Sequence, residues 1–213
     1  MPTENLDEIA KKILSAASRR FLHYGYKKTT MSEIADDCNM STGNLYRYFP
    51  SKLDIAEMFV RVLRGEQVDN LRTVIEAPGR NPPEKLRDFF LLKFKLAYDR
   101  FHDKPKAYEL SSALISERPK VALEWEAAEG RVLAEILIEG NADGSFAVDN
   151  APAMAKILQD AAFRFTSPIV FHEGDYDALA VELNGVIDLV LDGFAWRATQ
   201  RDHGKTASVA SRF

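Results

Sequence analysis

The sequence predicts an all-α protein, on three observations. Apolar residues recur at three- and four-residue spacing along nearly the whole chain, as one face of a helix requires. No stretch sustains the alternation of apolar and polar residues that a half-buried strand would show. Proline- and glycine-containing clusters sit between the periodic segments: APGRNPP at 77–83, DKP at 103–105, ERP at 117–119, GNADGS at 140–145 and SP at 167–168.

The elements follow in chain order. Asn5 with Glu8 reads as a capping pair. Behind it Leu6, Ile9, Ala10, Ile13, Ala17, Phe21 and Tyr24 form one stripe until Gly25 stops the helix. Thr30 and Glu33 form a second capping box, opening a helix of barely two turns with Met31, Ile34, Ala35 and Cys38 on its apolar face. Asn39 occupies a left-handed turn position, which Asn tolerates better than most residues with a Cβ. Ser41 starts a third helix ending near Phe49, and Ser51 with Asp54 caps a long fourth helix running to about Glu76. Further helices are expected near 84–102, 106–117, 120–139, 151–166 and 176–198, with an irregular passage around His172 and a disordered tail after about residue 202.

Helix, tight turn, short helix is the helix-turn-helix plan, and the third helix is the one being aimed. Eight or nine residues make a rod of about 13 Å, suited to entering a major groove. Leu45 and Phe49 face inward, leaving Thr42, Gly43, Asn44, Tyr46, Arg47 and Tyr48 outside or at the rim. Thr42 and Asn44 can hydrogen-bond base edges, Gly43 lets backbone come close, and the tyrosines can reach phosphate or a thymine methyl. Taken singly, such tyrosines are ordinary packing residues. Together at this spacing, with Arg19, Arg20, Lys27 and Lys28 near the same end, they point to DNA.

Charge agrees once it is divided along the chain. The net charge is −4, but residues 1–64 hold ten Lys/Arg against eight Asp/Glu, and the remainder eighteen against twenty-four. Only the N-terminal part approaches phosphates comfortably, and exposed charges beyond a Debye length of about 8 Å are largely screened.

Residues 8–60 resemble the N-terminal domain of the TetR family of transcriptional regulators. The match rests on Thr29 and Thr30, Ile34 and Ala35, the string STGNLYRYF at 41–49, and Ser51 and Lys52. The resemblance implies a third helix docked in the major groove, Tyr46 and Tyr48 at aromatic contact positions, and Lys52 as a phosphate-binding lysine. Thr30 and Ser32, at the start of the second helix, complete the DNA-contacting set. It also implies repression relieved by a small molecule. Two departures stand out: Asn39 where the family commonly has glycine, and no lysine among Ser41 to Asn44. The expected division is a DNA-binding domain at 1–52 and a helical ligand-sensing and dimerisation domain at 53–213.

Two expectations concern that second domain. The segment 178–198 is apolar on more than one stripe, since Val181 and Leu189 fall outside the row Leu179, Leu183, Val186, Val190 and Phe194. Such a helix needs two neighbours, and a homodimer of four helices from 151–166 and 176–198 of each chain supplies the second. In RDFFLLKFKLAYDRFH, Phe90, Phe94, Tyr98 and Phe101 recur at four, four and three. Ordinary core explains that stripe. The family's habit of housing an apolar ligand among these helices makes it a candidate pocket wall, with Trp125 and Phe163 as further wall and Tyr98 and His102 as polar handles for an aromatic or hydrophobic small molecule.

Other classes fare poorly. There is no phosphate-binding glycine loop and no nucleophile elbow, and His23, His102, His172 and His203 have no partner at metal-ligating spacing, so neither an enzyme, a cofactor nor a metal is expected. Cys38 reads as a small buried hydrophobe, and Glu124, Glu126 and Glu129 as helix-surface charges. No run is long and apolar enough for a membrane span, and the acidic start is unlike a signal peptide, so a cytoplasmic location is expected. The rival to DNA binding is a helical protein-interaction module that has lost DNA affinity, which a gel shift on random duplexes separates.

Overall fold

A computed structural model describes residues 6–166 and 175–210, with side chains as far as 199. Among these residues there are no strands. The helices are α1 (Glu8–His23), α2 (Met31–Asp37), α3 (Thr42–Tyr48), α4 (Lys52–Glu76), α5 (Pro82–Phe101), α6 (Pro105–Glu117), α7 (Pro119–Asp143), α8 (Ala151–Ala161) and α9 (Tyr176–Ala210), with a 3-10 turn at Phe163–Thr166. Asn5, His172 and the Ser167–Pro168 break lie outside the described residues. The N-cap of α1 is Asp7, whose Oδ1 accepts from the Ala10 amide at 2.7 Å. The 202–210 stretch, expected as a disordered tail, continues α9 to Ala210, and no proline interrupts it.

The chain forms two compact units. The first comprises residues 1–69 and 99–125, the second 70–98 and 126–213. The expected boundary at residue 52 divides the chain differently, because the core of the first unit runs past it. Ile13, Ala17 and Phe21 of α1, Ile34 and Ala35 of α2 and Leu45 of α3 are buried together with Ile55, Ala56 and Val60 of α4 and Leu110 and Leu114 of α6. Cys38 is buried in the same cluster, and its thiol is pushed up mainly by burial. Removing one such fully buried side chain, as in Leu45→Ala, costs about 2–5 kcal/mol.

In the second unit, Leu86, Phe89, Phe90 and Phe94 of α5, Val132, Leu133, Ile136 and Leu137 of α7, Leu158 of α8 and Leu179, Leu183, Ile187 and Phe194 of α9 are buried. The bend after α7 is set by Gly140: a Cβ there would sit 2.0 Å from the Phe146 ring, and the Phe146 amide donates to the Gly140 carbonyl at 2.9 Å. Of the inward row expected for α9, Leu179, Leu183 and Phe194 are buried, Val186 and Val190 are half-buried, and Ile187 is buried beside them, while Val181 and Leu189 are exposed at 73% and 74%. Among the described residues no helix is long and apolar enough to cross a membrane.

Candidate functional site

The turn between α2 and α3 is built by local chemistry. Thr30 and Glu33 make the expected reciprocal box: the Glu33 amide donates to Thr30 Oγ1 at 3.3 Å and the Thr30 amide to Glu33 Oε2 at 2.8 Å. The Thr30 hydroxyl also donates to Glu33. These bonds, the backbone one first, hold the Glu33 carboxyl below its ordinary value. Thr30 is therefore occupied as a cap, whereas Ser32 is exposed one residue inside α2. Asn39 adopts φ +53°, the left-handed turn expected of it, and the Met40 amide reaches back to the Ala35 carbonyl at 3.0 Å. Two cations from α1 brace α2. The Lys12 ammonium donates to the Cys38 carbonyl at 2.8 Å, and Arg20 grips Asp37 at 2.6 and 2.8 Å while pairing with Glu33 at 3.2 Å. Hydrogen bonding to the Asp37 carboxylate, against some desolvation, raises Arg20 above its ordinary value. Arg20 thus aims α2 instead of offering its charge to phosphate.

With α2 fixed, α3 is aimed by two anchors. Leu45 is fully buried and Phe49 nearly so, while Ser41 caps the helix start by accepting from the Asn44 amide at 3.2 Å. The helix spans seven residues, about 10 Å of rod. Gly43, Tyr46 and Arg47 are exposed, and Thr42 and Asn44 are half-buried. A Cβ at Gly43 would meet nothing within 4 Å, so a partner can approach the backbone closely there. Tyr48 is half-buried against the core of the first unit. The face left outside combines polar groups, an aromatic ring and a guanidinium, the donor and acceptor types that read base edges and phosphates. Lys27 and Lys28 are exposed in the preceding loop.

Lys52 is placed differently from the role its resemblance implies. Its ammonium donates to the carbonyls of Tyr26 and Thr29, each at 2.7 Å, and of Lys27 at 3.4 Å, and lies 4.5 Å from the centre of the Tyr26 ring. Three acceptors match its three N–H groups. Burial lowers its affinity for the proton, with Glu109, Glu117 and Glu33 acting the other way. The loop is held from a second side by α6, where Glu109 accepts from the Lys27 amide at 3.0 Å. Gly25, at φ +99°, lets the Glu109 carboxylate close in, since a Cβ there would stand 2.9 Å from it.

The residues expected to line a ligand pocket are divided between the two units. Phe94 stacks on Tyr176 with ring centres 5.0 Å apart, and Tyr98 meets the same ring edge-on at 5.1 Å. Phe90 lines a small apolar cavity with Leu86, Leu158, Leu183, Ile187 and Val190, of about 10 Å³, room for a single water. Phe101, His102 and Trp125 belong to the first unit. There Phe101 is buried, His102 pairs with Asp103 at 3.3 Å, and Trp125 carries the Arg64 guanidinium over its ring at 5.2 Å. Phe163 points outward, 66% exposed. Its helix ends at Ala161, and the tighter 3-10 turn buries Phe165 in its place.

The sequence model described as "Bacterial regulatory proteins, tetR family" matches residues 13–58, and the one described as "Tetracyclin repressor-like, C-terminal domain" matches residues 82–187. The chain belongs to the TetR family. A curated relative, the HTH-type transcriptional repressor KstR2 of Mycolicibacterium smegmatis, is 26% identical over 194 residues, covering 87% of this chain and 92% of that protein. The structure of Thermus thermophilus FadR, a TetR-family repressor in complex with lauroyl-CoA, is similar with a TM-score of 0.62 and 25% identity, over 86% of this chain and 94% of that one. The fold is shared with the fatty acid degradation regulator FadR from Bacillus halodurans, at a TM-score of 0.64 and 20% identity over 88% and 96% of the two chains. As a TetR-family protein the chain is a DNA-binding transcriptional regulator.

Sequence reasoning missed one set of residues in this TetR regulator. Glu129, read as a surface charge, is buried with its side chain 5% exposed and pairs at 2.8 Å with Lys93 of α5, itself 10% exposed. Lys93 also donates to Gln159 of α8 at 3.3 Å. The available signal was Lys93 itself, which stands three residues after Phe90 on the inward stripe of α5. Among the described residues no group of three or more His, Cys, Asp or Glu could hold a metal ion.

Proposed function

We infer that the chain is a homodimeric repressor that reads an inverted-repeat operator with α3 and leaves it when an apolar small molecule binds the second unit. The observation that carries this reading is the outward face of α3. Thr42, Gly43, Asn44, Tyr46 and Arg47 are presented by a scaffold whose neighbouring Arg20, Thr30 and Lys52 are spent on holding it in place. Tyr48 supports from the rim and Ser32 adds a hydroxyl at the start of α2. The repressor assignment draws on the named role of KstR2, and a ligand with a long apolar part on the lauroyl-CoA held by Thermus thermophilus FadR. Dimerisation is supported by α8 and α9, which leave Ile157, Val181, Leu189 and Trp196 more than half exposed on the described surface. A cytoplasmic location fits a DNA-reading role.

Selection of bound duplexes from a random pool tests the reading. A recovered inverted repeat with half-sites about one DNA turn apart, roughly 34–36 Å, is the expected product. Recovery of unrelated sequences with no shared half-site would remove the operator-binding assignment.

A further inference from the structure

Most of the positive charge beside the reader is engaged within the first unit. Residues 1–64 carry ten Lys/Arg. Arg20 braces α2, and Lys52 holds the carbonyls of the loop before it. On α1, Lys11 pairs with Glu8 at 2.8 Å, Lys12 donates to the Cys38 carbonyl, and Arg19 donates to Ser15 Oγ at 3.0 Å. On α4, Arg61 pairs with Glu57 and Glu124, and Arg64 lies over the Trp125 ring. Lys27 is tied to Glu109: the hydrogen bond from its amide is the first cause holding that carboxyl below its ordinary value, and its own charge is a weaker one. Two of the ten remain. Lys28 and Arg47 are exposed and make no hydrogen bond, ion pair or ring contact among the described residues.

Both stand on held backbone at one end of the reader. Arg47 lies in the last turn of α3, four residues after Gly43, so it shares the helix face on which the backbone is open to a partner. A recognition helix meets base edges with its N-terminal residues, which places a cation of the last turn at the edge of the groove, where the phosphates run. Lys28 sits between Lys27 and Thr29, whose carbonyls both accept from the Lys52 ammonium. Thr29 is itself buried, and its hydroxyl donates to the Gly25 carbonyl at 2.9 Å. Lys52 follows Arg47 by five residues, so one lysine side chain links the chain just past α3 to the backbone on either side of Lys28. Backbone fixed before binding loses little further freedom in a complex.

We propose that Lys28 and Arg47 are the cations each protomer sets against the DNA phosphates, and that Lys52 is the positioning residue for Lys28. The proposal rests on the operator-reading function above and names the cations that hold the duplex. A cation bonded to a carboxylate or to a set of carbonyls must give up those bonds to meet a phosphate, whereas Lys28 and Arg47 give up only water. The number of contacts fixes a measurable quantity. Each phosphate neutralised on B-DNA changes the slope of log affinity against log salt by about −0.9, so two cations give a slope of about −1.8 per protomer.

Fluorescence anisotropy across a sodium chloride series tests this with the full-length chain, on a random-sequence duplex and on the operator recovered by selection. Lys28→Gln and Arg47→Gln remove no bond within the protein, so both variants should melt at the wild-type temperature. Each should make the slope shallower by about 1 per protomer and weaken both duplexes alike, and the double variant should keep little salt dependence. An unchanged slope in either single variant would overturn the assignment of that residue. A loss with Arg47→Gln confined to one base position would make Arg47 a base reader and overturn its phosphate contact. An equally shallow slope with Lys27→Gln would overturn the distinction between engaged and unengaged cations. Failure of the wild type to bind either duplex at low salt would instead remove the operator reading, and this proposal with it.

Discussion

Lys52→Ala separates two roles that one residue could play in a DNA-binding protein. A phosphate contact contributes to affinity through counterion release, so its loss lowers the slope of log affinity against log salt by about 1 and leaves the fold unchanged. The geometry assigns Lys52 the other role. Two short bonds from its ammonium to the Tyr26 and Thr29 carbonyls, a longer one to Lys27 and the Tyr26 ring at 4.5 Å tie the start of α4 to the loop that leads into α2. Hydrogen bonds from a charged donor contribute about 1.5–3 kcal/mol each when sheltered. Lys52 is only partly buried, so water replaces part of what is lost, and we expect about 2–3 kcal/mol of destabilisation for the whole clasp. For a chain of this length that is a fall in melting temperature of about 5–10 °C. Operator affinity should also drop, because the loop ends at Thr30, the cap that aims α2, but the salt slope should match the wild type. Differential scanning calorimetry and fluorescence anisotropy across a salt series measure both quantities. A variant melting within about 1 °C of the wild type, with a slope reduced by about one, would return Lys52 to phosphate binding and refute the clasp.

Three further outcomes follow from the same structure. Arg118 donates to Asp54 at 2.5 Å and bonds Glu57; burial pushes both carboxyls up, but Arg118, with Ser51 at Asp54 and Arg61 at Glu57, holds both below their ordinary values of 3.8 and 4.5. Carboxylates held down in this way add stability that is full above those values and lost as pH falls through the folded ones, so Arg118→Ala should cost about 1–2 kcal/mol at pH 7 in urea unfolding, with the gap to wild type closing at acid pH; a gap of constant size would show that the ion pairs are not its source. Asn44→Ala should leave the melting temperature unchanged while altering the operator sequence selected, by about 1–3 kcal/mol at the base it reads, and a uniform loss over all sequences would make Asn44 a positioning residue instead. Leu189→Glu, at a side chain 74% exposed on the described surface, should yield a folded monomer that no longer binds operator, and sedimentation showing native and variant chains of the same size would end the four-helix dimer.

Local chemistry was the legible part of this chain. The Thr30 box, the Ser41 cap, the left-handed Asn39 and the two inward residues of α3 depend on neighbours within four positions, and residue spacing exposes them. The two-sided character of α9 was legible for the same reason, since helical period alone puts Val181 and Leu189 off the buried row. What stayed hidden depends on partners far along the chain. Lys52 and its loop are 23 to 26 residues apart, and Lys93 and Gln159 are 66 apart. Glu129 looks like any helix glutamate until α5 brings Lys93 to it. Phe163 was misplaced by a smaller effect: α8 stops at Ala161, five residues short of the expected end, and the 3-10 turn hands the buried position to Phe165.

The placement of α6 changes what a ligand signal has to move. Glu109 holds the Lys27 amide, Arg118 bonds Asp54 and Glu57, and Arg61 links Glu57 to Glu124 at 2.8 Å, so the first unit carries its own charged lattice from α1 to the start of α7. The loop before α2 and the first turns of α4 are thereby tied to α6 within the first unit. The chain passes between the two units inside α4, α5 and α7, near residues 69, 98 and 125, each time within a continuous helix. A packed helix has discrete arrangements and does not stretch. A ligand that binds two arrangements of a regulator unequally changes operator affinity by the ratio of those affinities, and by linkage operator DNA changes ligand affinity by the same factor.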